Sequence, residues 1–368
     1  MPSAHKTWQH TDNIMAYISF QQSDYYSNLI YTGDGSASKA LTGTGFQPDV
    51  TWIKNRDSTN WNILTDSSRG RTDYVYPNAV NIEDTGATTM VLSWESNGFT
   101  IGDSGNVNTD TEDYASWNWK VNGGTTASNG IGSITSTVQV DATRGISIAE
   151  YTGNGVSGAS FGHSLGIVPE CILIKCLNTA HDWAVYHKGV DNSPEDKFLV
   201  LNENNAVADN VNKWNDTLPT TTSITLGNGG GVNADTQTHV AYFFSSVKGY
   251  SKFGNYTGTG NNNGTFVHLG FRPAFLLIKN TGATKNWYMF DSARDPYNLT
   301  DRALKPDTAG AEVDSSDYNS LDLLSNGFKL RGGSSGVGDD LNGAYNYVYM
   351  AFAKYPVVSS NSIPATAV

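Results

Sequence analysis

Gly45-Phe46-Gln47-Pro48-Asp49-Val50-Thr51-Trp52-Ile53-Lys54 is a stretch that this chain writes three times. It returns as Gly166-Ile167-Val168-Pro169-Glu170-Cys171-Ile172-Leu173-Ile174-Lys175 and as Gly270-Phe271-Arg272-Pro273-Ala274-Phe275-Leu276-Leu277-Ile278-Lys279. Each copy opens on Gly, turns through Pro and closes a short apolar run with Lys. Proline fixes φ and donates no amide hydrogen bond, so it belongs where a strand begins. Successive strand residues alternate faces, which sends Ile53, Ile174 and Ile278 one way and Trp52, Leu173 and Leu277 the other. A strand apolar on both faces is expected to be covered on both, as in a packed sandwich.

The surroundings repeat as well. Upstream stand Tyr31-Thr32-Gly33, Tyr151-Thr152-Gly153 and Tyr256-Thr257-Gly258. Downstream, past a polar loop, come Trp61, Trp183 and Trp287, each leading a second strand-like run. Copies one and three share Asn97-Gly98-Phe99 and Asn326-Gly327-Phe328, a tight turn feeding a strand; copy two has Gly227-Asn228-Gly229-Gly230 instead. The period of roughly 105–120 residues is too long for a solenoid or propeller blade. A unit of that size can hold its own core. The fold expected is all-β: three tandem antiparallel β-sandwich domains, jelly-roll or lectin-like. The boundaries are an N-terminal arm (1–28), repeat one (29–122), a linker (123–144), repeat two (145–249), repeat three (250–356) and a C-terminal tail (357–368). Gly123-Gly124-Thr125-Thr126-Ala127-Ser128-Asn129-Gly130 is the most linker-like stretch, so any bend is expected there. Repeats two and three have almost no spacer and must abut. The apolar patch Ile14-Met15-Ala16-Tyr17-Ile18-Ser19-Phe20 reads equally as an edge strand or as an arm for an assembly partner.

Composition sets limits. Of 368 residues, 38 are Gly and 19 Tyr, and charged residues make up only 16%, which suits strands and turns and leaves no long helical period. The net charge of −12 argues against nucleic acid, which needs a basic face. No apolar run is long enough to span a membrane, and the N-terminus lacks the apolar core of a secretory signal. Cys171 and Cys176 are the two cysteines; their odd offset puts them on opposite faces of one strand, which disfavours a disulfide. Free core thiols fit folding in a reducing cytoplasm.

Signs of chemistry are sparse. Trp61, Trp183 and Trp287 can stack sugars, but recurrence beside the core strand favours a packing role. Asp66 with Arg69, and Asp291 with Arg294, read as turn-closing ion pairs, worth little if exposed. The acidic loop 103–113 offers Asp103, Asn106, Asn108 and Asp110 as oxygen ligands for calcium; the spacing is not that of an EF-hand, and a solvated turn is favoured. No other cofactor is implied. His163, His181, His187 and His239 match no zinc spacing, and scattered surface histidines are the default. Tyr345, Tyr347 and Tyr349 fall on one strand face and, with Trp117, Trp119 and Trp214, form the aromatic set for glycan contact; burial in a sheet is the commoner fate of such a strip. No Gly-X-Ser-X-Gly elbow follows a strand and opens a helix, and no phosphate cradle sits in strand–helix context. Nothing points positively to an enzyme.

Tyr-Thr-Gly, Gly-Phe-Gln-Pro-Asp with Trp-Ile-Lys, Asp-Ser-Ser-Arg-Gly, Ser-Asn-Gly-Phe and Trp-Asn-Trp-Lys together resemble an uncharacterised repeat family in virion proteins of tailed phages. The likeness runs from Leu29 to Pro356. It implies a non-enzymatic virion protein on the particle exterior, assembled in the host cytoplasm: a tail fibre or receptor-binding component that meets other virion proteins and host-surface glycans, commonly as a homotrimer. The alternatives are a capsid decoration or head-fibre protein and a polysaccharide depolymerase.

Overall fold

The structure, a computed structural model, describes residues 20–314, 321–332, 337–355, 357–358 and 364–365. Most of the N-terminal arm and most of the C-terminal tail therefore lie outside the described residues. The described chain is all-β, with several antiparallel sheets and α-helices of only four to six residues.

Repeat one runs β1 (Tyr26–Thr32), β2 (Lys39–Thr42), β3 (Val50–Asn55), β4 (Ile63–Asp66), β5 (Gly70–Val75), β6 (Val91–Glu95), β7 (Gly98–Ile101), α1 (Gly105–Asn108) and β8 (Asp113–Trp119). Its large sheet has the order β1-β8-β3-β4-β5 and its small one β2-β7-β6. Repeat two follows with β9 (Ala127–Asn129), β10 (Ser136–Asp141), β11 (Ile146–Thr152), β12 (Ala159–Gly162), β13 (Cys171–Cys176), β14 (Ala184–His187), β15 (Lys197–Val200), β16 (Ala208–Asp209), α2 (Val211–Trp214), β17 (Ser223–Leu226), α3 (Gly230–Asn233) and β18 (Thr238–Phe244). Its sheets are β16-β15-β14-β13-β18-β11-β10-β9 and β12-β17. Repeat three has β19 (Ser251–Thr257), β20 (Phe266–His268), β21 (Arg272–Asn280), β22 (Trp287–Asp291), β23 (Arg302–Ala303), β24 (Val313–Asp314), β25 (Leu321–Leu324), β26 (Gly327–Leu330), α4 (Val337–Asn342) and β27 (Asn346–Tyr355). There β19-β27-β21-β22 faces β20-β26-β25, and β23 pairs with β24.

The thrice-written stretch forms the same strand each time. β3 and β13 are buried along their whole length. In β21 the proline sits at an irregularity of the ladder with β27, which spares it the amide bond it cannot make. One face of these strands does what the sequence implies: Ile53, Ile174 and Ile278 each enter a cluster confined to their own repeat, between its large and small sheets. The other face corrects the picture of separate domains. Trp52, Leu173 and Leu277 meet in one cluster that also takes Trp117, Tyr242 and Met350 from the neighbouring strands. The large sheets of all three repeats thus turn their outer faces onto a common core. A strand apolar on both faces needs two covers, and here the second cover is the other two repeats.

The stretch read as a flexible linker is tied down. Gly123 N donates to Asp49 at 3.0 Å, and β9 and β10 extend the large sheet of repeat two. Gly123 and Gly124 form a turn, and sheet takes over at Ala127–Asn129.

Three straps close the ring. After β5, the strap through 76–84 reaches repeat two, where Glu83 N donates to Leu177 O at 2.7 Å. After β15, Val207 N donates to Thr281 O of repeat three at 3.0 Å. After β23, Glu312 N donates to Arg56 O of repeat one at 2.7 Å. Leu177, Thr281 and Arg56 each stand two positions beyond the lysine of the repeated stretch, so the three seams follow one cyclic pattern.

Candidate functional site: the seam of the first and third repeats

The repeated lysine is fully buried in every copy. Its ammonium closes the hairpin that follows it. Lys175 Nζ donates to Cys176 O at 3.0 Å, to His181 O at 2.8 Å and across the seam to Val80 O at 3.1 Å. Lys279 Nζ does the same with Asn280 O at 2.6 Å and Lys285 O at 2.9 Å. Burial draws Lys54, Lys175 and Lys279 down to about 8. A carbonyl cradle of this kind suits a structural cation, not a base aimed at a substrate.

The paired charges are equally structural: they close their turns as the spacing suggests, but they are buried and reach across the seams. Arg69 Nε donates to Asp66 at 2.7 Å and Arg69 Nη1 to Glu83 at 2.5 Å, while Tyr242 of repeat two donates to Asp66 at 2.7 Å. The seam of repeats three and one repeats the device. Arg294 bonds Asp291 at 2.5 Å and Glu312 at 2.6 Å, Arg56 bonds Glu312 at 2.8 Å, and Trp117 Nε1 donates to Asp291 at 3.1 Å. Both arginines have almost no solvent access, and the carboxylates hold Arg69 and Arg294 above the usual guanidinium range against the opposing effect of burial. The seam of repeats two and three has His187 in the place of the aspartate. Its Nε2 lies 3.1 Å from Tyr349 O and its Nδ1 accepts from Gly189 N at 3.0 Å. Burial pushes His187 down to about 4.

Trp61 is not the counterpart of Trp183 and Trp287. Ladder register pairs Ile63 with Ile53, Ala184 with Ile174 and Tyr288 with Ile278, which aligns Asn62 with the two tryptophans. Asn62 Nδ2 donates to Thr308 O at 3.0 Å, as Trp183 Nε1 does to Tyr76 O at 2.9 Å and Trp287 Nε1 to Val200 O at 2.8 Å. All three bonds cross a seam. Trp61, one residue earlier, turns outward and is 40% exposed, its ring edge-on to Tyr76.

The aromatic set for glycan contact is mostly interior. Trp117 and Trp119 lie in the shared core. Trp214 fills the core of repeat two and donates to Lys197 O at 2.8 Å. Tyr347 and Tyr349 lie in the core of repeat three. These five rings are closed to a ligand, because each covers a sheet face that would otherwise meet water. Tyr345 alone of the set is exposed, at 41%.

The oxygen ligands proposed for calcium do not converge as free donors. Asn108 is buried; its Oδ1 accepts from Asp34 N at 2.9 Å and its Nδ2 donates to Ser36 O at 2.9 Å. Asn106 Oδ1 accepts from Trp61 N at 3.2 Å. Asp103 and Asp110 are exposed. Among the described residues no three His, Cys, Asp or Glu side chains gather as a metal site would require. Three of the four histidines are not on the surface: His163, His187 and His239 are buried, while His181 is half-buried. Asn108 belongs to a motif that the reading by charge passed over. Asn233 and Asn342 hold the same position, accepting from Asn154 N and Thr259 N at 2.9 and 3.0 Å. Gly102-Asp103-Ser104-Gly105-Asn106-Val107-Asn108 and Gly227-Asn228-Gly229-Gly230-Gly231-Val232-Asn233 show it in the sequence once they are aligned.

A polar cleft of about 360 Å³ lies open between repeats one and three. β1 forms one wall, through Ser27 and Asn28; Ala274, Ser292, Ala293 and Lys354 form the other. Asn28 Nδ2 donates across it to Ala274 O at 2.9 Å. Burial, then Arg272, lowers Lys354. The described lining is mostly small and polar. Such a cleft can receive an extended main chain.

In comparisons with known proteins, residues 21–356 match a domain of unknown function, DUF7483. No curated protein matches the chain.

Proposed function

The chain belongs to the DUF7483 family, and we propose, from its repeat architecture and the sequence resemblance, that it is a structural protein of a virion exterior, a tail fibre or receptor-binding component that presents its loops to host-surface glycans. We read each repeat as one β-sandwich of jelly-roll or lectin-like type, three in all. The observation that carries the proposal is the shared core. It joins three sheet packages, and the buried lysines, arginines and carboxylates are taken up by hairpins and seams. What is left outside is loop surface rich in Asn, Ser, Thr and Gly, suited to weak multivalent contacts. Glycan stacking then falls to exposed rings, among them Trp61, Tyr345 and the still more exposed Tyr297. The homotrimer implied by the fibre likeness has a rival within the chain, since three repeats already close a ring.

Electron microscopy of labelled particles tests the placement: label at the tail tip is expected, and copies spread over the head would give the decoration role instead. Incubation with host polysaccharide tests the chemistry. Binding that weakens in Trp61→Ala and Tyr345→Ala is expected; shortening of the polymer would make the protein a depolymerase.

A further inference from the structure

The three seams are built alike, yet they are sealed differently. Between repeats one and two, β10 lies on the free edge of β11 and puts Gln139 into the seam. Gln139 Nε2 donates to Ser67 and Ser68 at 3.0 and 2.8 Å, and its Oε1 accepts from Asn122 N and Gly124 N at 3.1 and 2.9 Å. Between repeats two and three no strand is needed. Asn255 Nδ2 donates to Gly189 O at 2.9 Å, and a Cβ on Gly189 would lie 3.2 Å from the Asn255 Cβ. Between repeats three and one the same place is the open cleft. Ser292 and Ala293 follow Asp291 there as Ser67 and Ser68 follow Asp66. Asn28 occupies the position of Ile148, the residue paired with Gln139, because each stands three residues before the Tyr of Tyr-Thr-Gly. Among the described residues β1 is an edge strand, paired only with β8.

We propose that this cleft is a strand slot, and that residues 14–19 of the same chain fill it, pairing antiparallel with β1 as β10 pairs with β11. Three observations select this occupant. The slot needs an extended segment, because it is the free edge of a sheet with small-residue walls. The segment Ile14-Met15-Ala16-Tyr17-Ile18-Ser19 precedes β1 in the chain as β10 precedes β11. The connections also match in reach: Ala142 to Gly145 join β10 to β11, and Phe20 to Tyr25 are available to join the segment to β1. That second connection is anchored beside the slot. Gln22 Nε2 donates to Gly249 O at 2.8 Å, and Ser23 and Asp24 line the cleft rim. The arm thereby seals the seam that no covalent linker crosses.

Photocrosslinking tests the assignment in the full chain. With Tyr17 replaced by benzoylphenylalanine, irradiation is expected to give a product of single-chain mass whose crosslinked peptides contain β1 or Ser292-Ala293. Ala293→Trp narrows the slot from its half-exposed rim and is expected to abolish that crosslink while the unfolding transition is kept. A crosslink between two chains would give the slot to a second copy and overturn the proposal. So would a crosslink mapped elsewhere, no crosslink at all, or a crosslink that survives Ala293→Trp.

Discussion

At the scale of single residues, buried polar groups hold this protein in register. Asn233 satisfies backbone donors and acceptors on both sides of its loop, giving to Val156 O and Gly227 O at 3.0 and 2.9 Å. Truncation leaves those groups unmatched, so Asn233→Ala is expected to cost about 2–3 kcal/mol in urea unfolding. Asn108→Ala should behave alike with or without calcium, because its amide is spent on the backbone. His187 contributes to the pH response beside His239, which burial also draws down to about 4. The His187 folded-state pKa of about 4 lies below the ordinary value near 6.5, so between these limits the unfolded chain holds the extra proton. Stability is therefore present above about pH 6.5 and is lost as pH falls toward 4, by up to roughly 3 kcal/mol from this group. A His187→Gln variant is expected to show a shallower decline over that window when unfolding is followed across pH; an unchanged slope would remove His187 from the account.

At the scale of elements, each Tyr-Thr-Gly corner passes against the loop that follows a short helix. A Cβ on Gly33, Gly153 or Gly258 would sit 2.0, 2.3 or 2.0 Å from the backbone carbonyl of Thr109, Ala234 or Gly343. Neither backbone can move without dragging a strand with it. Gly153→Ala is expected to destabilise by more than about 3 kcal/mol, read as a lowered thermal midpoint. The seam tryptophans allow a finer measurement. Trp183→Phe keeps most of the ring and loses the bond to Tyr76 O, which predicts a loss of about 1 kcal/mol. Trp61→Phe, at an outward position, should leave stability nearly unchanged.

At the scale of the molecule, the shared core makes the repeats dependent on one another. A fragment of residues 20–122 would expose Trp52, Trp117 and Trp119 on one sheet face. It is expected to bind a hydrophobic dye and to give poorly dispersed amide spectra, whereas the full chain unfolds in one cooperative calorimetric transition. Separate transitions for the three repeats would contradict the shared core. Solution mass adds a second check: 39.7 kDa is the mass expected if the ring within one chain replaces a ring of subunits, and three times that mass would favour the homotrimer.

The sequence by itself determined the repeat, the strand that each copy of the stretch forms and the all-β class. Those follow from local chemistry: proline at the strand's start, alternation along it, glycine and asparagine at the turns. It also determined that Ile53 and Trp52 are both buried, on opposite faces. Only the tertiary structure decided what covers the second face, because periodicity shows that a face is dry and not which surface dries it. The tryptophans were legible by counting: Trp183 and Trp287 stand eight residues beyond their lysines and Trp61 seven, so Asn62 holds the matching place, and one residue of register exchanges core for solvent. The limit does explain the ion pairs: Asp66 and Arg69 are neighbours in sequence, while the Tyr242 and Glu83 that complete their cluster are brought to them by the closing of the ring.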